Sequence, residues 1–379
     1  MTASGTVLGD LSSESSTDGT TEWLGGIGGI GKGWRRSSIL GSASAVLISS
    51  SRDTMKFLAH IFLGTLVAVL ASAQTQTPPA GWPVFWHKGI ITDKPTSIYN
   101  PTNEFIFPSV FHAGRWLNNA RAEWYIYYAP HDDPGGISLR YSDSLEGPWT
   151  EYPNNPVISR SWGSHYNVPH VSSPDAIWNL EANEGKGRMI MYFHGSNSVT
   201  RWAYSDDGIK FGYGGVAVTN AMGGPAVTET SYARVFRHPD PNSRYNYGMF
   251  YMGNERDNIR RIRLAESIDG KTWTVSPDYV VAPGPEEGAN VSAGELWNWR
   301  GQNYIIYHAS SGKAYARTID RTLRKVGDKP IMLFNGRGDN SGDRVASPVV
   351  VTRNGLTYLF YEKGGRLGGT IAWAKMAAQ

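Results

Sequence analysis

Glu104, His170, Glu229, Asn290 and Arg344 share one address in this chain: each stands five places before the middle of a short apolar segment that recurs along the sequence. A second set follows the aromatic segment after each of those: His131 with Asp132, His194, Glu255 with Arg256, His308 and Glu362. Carboxylates, imidazoles and guanidinium groups do acid–base work and bind hydroxyl or carboxylate groups. A solvated rim favours Lys, Ser and Asp, whereas His fills three of the five places in the second set, so the clustering is read as a site. Two carboxylates astride a glycosidic bond can cleave it, one protonated as acid and one ionised as base or nucleophile. Glu229 is the predicted general acid, with Glu104 or Asp175 as base, and a separation of about 6.5–9.5 Å would make the reaction inverting. His170, His194, Arg234, Glu255, Glu295, His308 and Arg344 are predicted to bind substrate. Trp162, Tyr166, Trp178 and Trp202 are candidate faces for sugar rings, and packing between elements is the competing use of each.

The apolar segments themselves carry Ser109, Asp175, Arg234, Glu295 and Val349 at their middles. Charges flanked by apolar neighbours must be paired or functional, and Arg234 neutralising Asp175 or Glu295 is the structural alternative to substrate contact. An offset of five reverses strand parity. Either Pro174 marks a bulge or His170 precedes the strand.

The elements that must hold these groups repeat five times. The apolar segments are Phe107–Phe111, Ser173–Ile177, Tyr232–Phe236, Ala293–Trp297 and Ser347–Val351, and their midpoints are spaced by 66, 59, 61 and 54 residues. Each is followed by an aromatic-rich strand such as Glu123–Tyr128 or Tyr247–Tyr251. Third strands end in turns such as Ser205-Asp206-Asp207-Gly208 and Ser267-Ile268-Asp269-Gly270, a hairpin signal. Residues 74–379 contain no long amphipathic pattern. Five repeats of about sixty residues predict an all-β, five-bladed β-propeller, with a β-sandwich as the alternative. The last repeat lacks a fourth strand, and the segment from Trp82 to Ile91 is predicted to supply it and remove an exposed sheet edge.

Residues Met55–Ala73 have a lysine, an apolar run and Ala-Ser-Ala, the pattern of a secretory signal peptide. The apolar run is short for a membrane span. Residues 1–54 are read as a disordered extension or as sequence upstream of the true start at Met55, and residues 74–379 as the propeller, a secreted extracellular protein, monomeric and free of the membrane after cleavage. Residues 1–73 hold five acidic and five basic residues, so the net charge of +3 stays with the propeller. That charge is too mild and dispersed for nucleic-acid binding. The absence of cysteine excludes disulfide-stapled scaffolds, thiolate metal sites and thiol catalysis. The sequon Asn290-Val291-Ser292 falls in the predicted opening and is expected to stay unglycosylated.

The segments Phe107-Pro108-Ser109-Val110-Phe111, Gly136–Ser144 with Gly147-Pro148-Trp149, and Ser173-Pro174-Asp175-Ala176 resemble the blade framework of glycoside hydrolase family 43 over most of residues 82–376. The resemblance implies a five-bladed propeller and cleavage of arabinose-, xylose-, fructose- or galactose-containing glycans of plant, fungal or algal origin. It also implies an Asp before the first-blade proline, where this chain has Phe107, and an Asp at the place of Tyr232. The Glu-Gly-Pro of the family's acid has no match near Ala293-Gly294-Glu295. A polysaccharide lyase acting on a uronic acid and a non-catalytic carbohydrate-binding propeller are the rival readings. The five unlike residues of the first set argue for one central site over a repeated lectin site. No cofactor is expected; a structural divalent cation, if one binds, has Asp175, Glu295 and His308 as its ligands.

Overall fold

The aromatic-rich second strands are apolar on both faces, so each needs a neighbour on either side. Alternate residues of Trp124–Ala129 show this: Tyr125 and Tyr127 pack toward the second repeat, while Trp124, Ile126 and Tyr128 pack toward the fifth. Five sheets each buried on two faces close into a ring. In the computed structural model, which describes residues 75–339, 344–365 and 367–377, five four-stranded antiparallel sheets form that ring. The signal-like segment Met55–Ala73 and residues 1–54 lie outside the described residues.

Blade 1 comprises Ile106–Phe111, Trp124–Ala129, Ser138–Ser142 and Thr150–Glu151; blade 2 comprises Val171–Asn179, Arg188–Gly195, Val199–Ser205 and Phe211–Thr219. Blade 3 runs Val227–Arg237, Tyr247–Glu255, Arg260–Ser267 and Thr274–Val281, and blade 4 runs Val291–Trp299, Gln302–Ala309, Ala314–Thr318 and Ile331–Phe334. Blade 5 is Val345–Arg353, Leu356–Lys363 and Thr370–Met376, completed by Phe85–Ile90 from the other end of the propeller sequence. The closure expected for the segment around Trp82–Ile91 is present, with Phe85 opposite Met376 and Ile90 opposite Ala372. The first strand of each blade touches the first strands of both neighbours, so these five line a central channel. One apolar core fills each of the five interfaces between blades.

The Asp-Gly turns latch one blade to the next. Ser205 donates its hydroxyl to the Lys210 carbonyl and Asp207 accepts from the amides of Ile209 and Lys210, and Ser267 and Asp269 repeat the arrangement. The carbonyl thus presented by Gly208 accepts from Tyr127 of blade 1 at 2.6 Å, and that of Gly270 accepts from Tyr192 of blade 2. Gly208 has φ of +72°, and a Cβ there would lie 2.8 Å from the Tyr127 oxygen, so conformation and approach both require glycine. Tyr127→Phe should lower stability by about 1–2 kcal/mol by orphaning that carbonyl. Thermal melting followed by circular dichroism checks it, and an unchanged Tm would refute the latch.

Every innermost strand carries the same irregularity. Phe107, Ser173, Tyr232, Ala293 and Ser347 have φ of +60°, +50°, +54°, +53° and +42°. The ladder register slips at each of them. A non-glycine residue in this region costs of order 1–3 kcal/mol and persists only where its surroundings enforce it, typically at functional sites. The parity conflict between His170 and Asp175 is thereby resolved: His170 precedes the strand beginning at Val171, and a bulge separates Ser172 from Asp175.

Candidate active site

The five left-handed residues face one end of the channel, the end at which the first strands begin. Tyr232 of blade 3 lies at its centre. Its ring centroid is 5.1 Å from Phe107 of blade 1, 6.4 Å from His194 of blade 2 and 6.0 Å from His308 of blade 4. Glu362 and Arg344 of blade 5 act on it electrostatically, as do Arg260 and Glu229. Burial, with Glu362 as the leading charge, pushes its hydroxyl up to about 12, so it stays protonated. Tyr232 and Phe107 form the floor of an opening that draws on all five blades.

The predicted set converges around this floor. Glu104 is buried, and its Oε2 accepts from the amides of His131 (3.0 Å) and Asp132 (3.2 Å) and from the Thr102 hydroxyl, while Oε1 is enclosed with no partner among the described residues. His170 stands 5.5 Å from His194 and shares a hydrogen bond with Asn197 Oδ1 at 3.1 Å. Glu229, largely buried, accepts from Ser231 at 3.2 Å and has Arg260 Nη2 at 3.5 Å. Arg344 Nη2 lies 3.0 Å from Glu362 Oε2, and its Nη1 has no partner among the described residues. Asn290 accepts from the Arg260 amide at 2.8 Å, so its side chain braces the opening.

His194 and His308 are held neutral. Burial lowers His194 well below the usual imidazole range, helped by His170 and His131; burial, then Arg344, Arg260 and Arg234, does the same to His308. His308 Nδ1 accepts from the Ser347 amide at 3.2 Å, so its proton sits on Nε2.

Four predicted residues are placed elsewhere. Glu255 binds Arg261 at 2.9 Å and Arg263 at 2.8 Å, and both its oxygens are spent on these ion pairs instead of facing a substrate. Asp175, Arg234 and Glu295 lie two residues beyond the left-handed positions and line a cavity of about 180 Å³ beneath the floor. Asp175 accepts from the Val235 amide at 2.7 Å and lies 3.3 Å from Arg234, which is the structural ion pair weighed against substrate contact. Among the described residues no group of three His, Asp or Glu is close enough to hold a metal, and Asp175 is committed to Arg234. Of the tryptophans, Trp178 stacks on Trp116 at 5.5 Å and Trp202 packs over Gly214, while Trp162 and Tyr166 pack on Tyr213.

Glu295 Oε2 is enclosed with no partner among the described residues, and burial, against the pull of Arg234 and helped by Asp175, pushes its carboxyl up to about 8. Glu295 therefore carries a proton at neutral pH; burial raises the Asp175 carboxyl as well, opposed by Arg234 and the Val235 amide. A folded-state value above the unfolded one means the native state holds the extra proton, so stability falls as pH rises from about 4.5 through about 8. Glu295→Gln should flatten the Tm–pH curve over that window, and an unchanged slope would contradict the assignment.

The sequence reading missed Tyr232, Phe107 and Arg260 as site residues. Third strands run parallel to first strands, so their starts face the same opening, and extending the topological rule to them would have found Arg260.

No family model and no curated protein matches this chain. Solved structures do. A thermostable family-43 glycoside hydrolase superimposes with a TM-score of 0.54 at 14% identity over 73% of this chain and 90% of its own. An α-L-arabinofuranosidase from Lactobacillus brevis gives 0.52 at 14% over 74% and 93%, and one from Podospora anserina, in complex with cellotriose, gives 0.54 at 10% over 79% and 98%. The fold is theirs. It is the five-bladed β-propeller that the repeats imply. Phe107 and Tyr232, which replace the acidic residues implied by the family resemblance, occupy two of the five left-handed places around the opening.

Proposed function

We propose that this protein is a secreted glycoside hydrolase that cleaves an O-glycosyl bond at the opening floored by Tyr232 and Phe107. One observation carries the reading: five strained, left-handed residues ring a single opening in which unlike carboxylates, imidazoles and guanidinium groups converge. Glu104, whose Oε2 accepts from the His131 and Asp132 amides and the Thr102 hydroxyl, acts as base on a water. Glu229 delivers the proton to the leaving oxygen, and the outcome is inversion. Arg260 lies 3.5 Å from Glu229, and substrate displaces the guanidinium to reach the acid. The neutral His308, donating from Nε2, and Arg344, whose Nη1 has no partner among the described residues, bind sugar hydroxyls. The signal-like Met55–Ala73 supports secretion. Two fold neighbours are named arabinofuranosidases, so arabinose-containing plant glycans head the substrate panel, followed by other plant, fungal and algal polysaccharides. The test incubates the full propeller with that panel and identifies the products; release of reducing sugar supports the reading, and none from any substrate refutes it.

A lyase acting on a uronic acid is the second reading. It is favoured by a protonated Tyr232 hydroxyl, two neutral imidazoles and Arg344 at one opening, the parts needed to neutralise a carboxylate and move the adjacent proton. A lyase leaves an unsaturated, ultraviolet-absorbing product that hydrolysis cannot make.

A further inference from the structure

We infer that Arg234 is a positioning residue: from beneath the floor it ties the strained segments of blades 1 and 2 to blade 3, and so fixes the surface on which a bound sugar rests. Its Nη2 donates to the Pro108 carbonyl at 2.9 Å and its Nη1 to the Pro174 carbonyl at 2.7 Å. Those carbonyls belong to the residues directly after the left-handed Phe107 and Ser173, and Arg234 itself follows Tyr232 by two. Asp175 completes the knot through Arg234 and the Val235 amide, and the Ser109 hydroxyl oxygen accepts from the Ala176 amide at 2.9 Å. Three of the five innermost strands are thus joined at one level, just beneath Phe107, Ser173 and Tyr232.

The side chain is 4% exposed, so a substrate at the opening has the floor between itself and the guanidinium. Only a planar fork of donors spans two carbonyls and a carboxylate; a lysine ammonium on a flexible stem cannot hold the same three partners in that geometry. Left-handed backbone at Phe107 and Ser173 is unfavourable on its own, and the bonds to the following carbonyls supply part of what enforces it. On the far side of the ring, Ser347 is held by His308 and by Glu362, whose Oε1 also accepts from the Phe107 amide at 3.2 Å.

The experiment compares wild type with Arg234→Met, Arg234→Lys and the charge-neutral double variant Arg234→Met with Asp175→Asn, which remains informative should the single methionine variant fail to fold. Amide exchange is read first. Phe107 and Ala176 should exchange roughly tenfold faster in the methionine variants while Tyr192 and Met249, in the second strands, stay protected. A uniform rise, or none, would overturn the proposal. The kinetic arm rests on the hydrolase reading: kcat should fall roughly 30-fold with KM within about threefold, and lysine should restore only part of it. A purely structural residue would lower Tm and leave kcat of the folded fraction unchanged, which would also overturn the proposal. If wild type hydrolyses nothing, the hydrolase reading falls and the exchange pattern still decides the role of Arg234.

Discussion

Glu229→Gln is expected to lower kcat/KM on the cleaved glycan by roughly 10²–10⁴-fold while leaving the melting curve in place, because glutamine keeps the shape of the acid and cannot deliver its proton. The loss belongs to chemistry and not to folding. Glu229 meets Arg260 at 3.5 Å in a partly exposed pair, and breaking such a pair costs about 1 kcal/mol or less. The limb of the pH–rate profile that reports the acid should disappear with it. Steady-state kinetics across pH, beside circular dichroism of the same preparation, makes the measurement. A variant that keeps more than about a tenth of wild-type kcat/KM would remove Glu229 from the acid's role.

Asp175→Leu is expected to do the opposite, damaging the fold far more than the chemistry. It leaves the Arg234 guanidinium enclosed without its counter-charge and strips the Val235 amide of its acceptor. Removing one partner of a buried pair costs about 3–5 kcal/mol, which in a domain of this size lowers Tm by roughly 10 °C. Asp175→Asn separates the two roles. It keeps an acceptor for Val235 and should hold kcat within about threefold of wild type, whereas a catalytic base replaced by asparagine would lose the 10²-fold or more expected of a missing acid–base group. Urea denaturation and turnover of the two variants decide between a strut beneath the floor and a member of the catalytic pair.

The contrast between these carboxylates shows how far sequence reasoning reached. The apolar-then-aromatic repeats marked the blades because a strand buried on two faces must be apolar on both, a requirement that Trp124–Ala129 displays residue by residue. The Ser-x-Asp-Gly turns were visible as hairpins, but their use as acceptors for Tyr127 and Tyr192 of the preceding blade depends on contacts 78 or more residues apart. Glu104, His170, Glu229, His194, His308 and Arg344 were legible as a group because strand direction alone sends strand starts and the ends of their antiparallel partners to one face.

What the sequence by itself determined was therefore the number of sheets, their order and the pole at which titratable groups gather; each follows from periodicity and antiparallel geometry, which are local. Only the tertiary structure decided which of those groups meet. The bulges at Phe107, Ser173, Tyr232, Ala293 and Ser347 turn Tyr232 across the channel to rings from three other blades and drop Asp175, Arg234 and Glu295 beneath it. A left-handed residue outside glycine has no reliable sequence signal, since the surrounding contacts impose it against the chain's own preference.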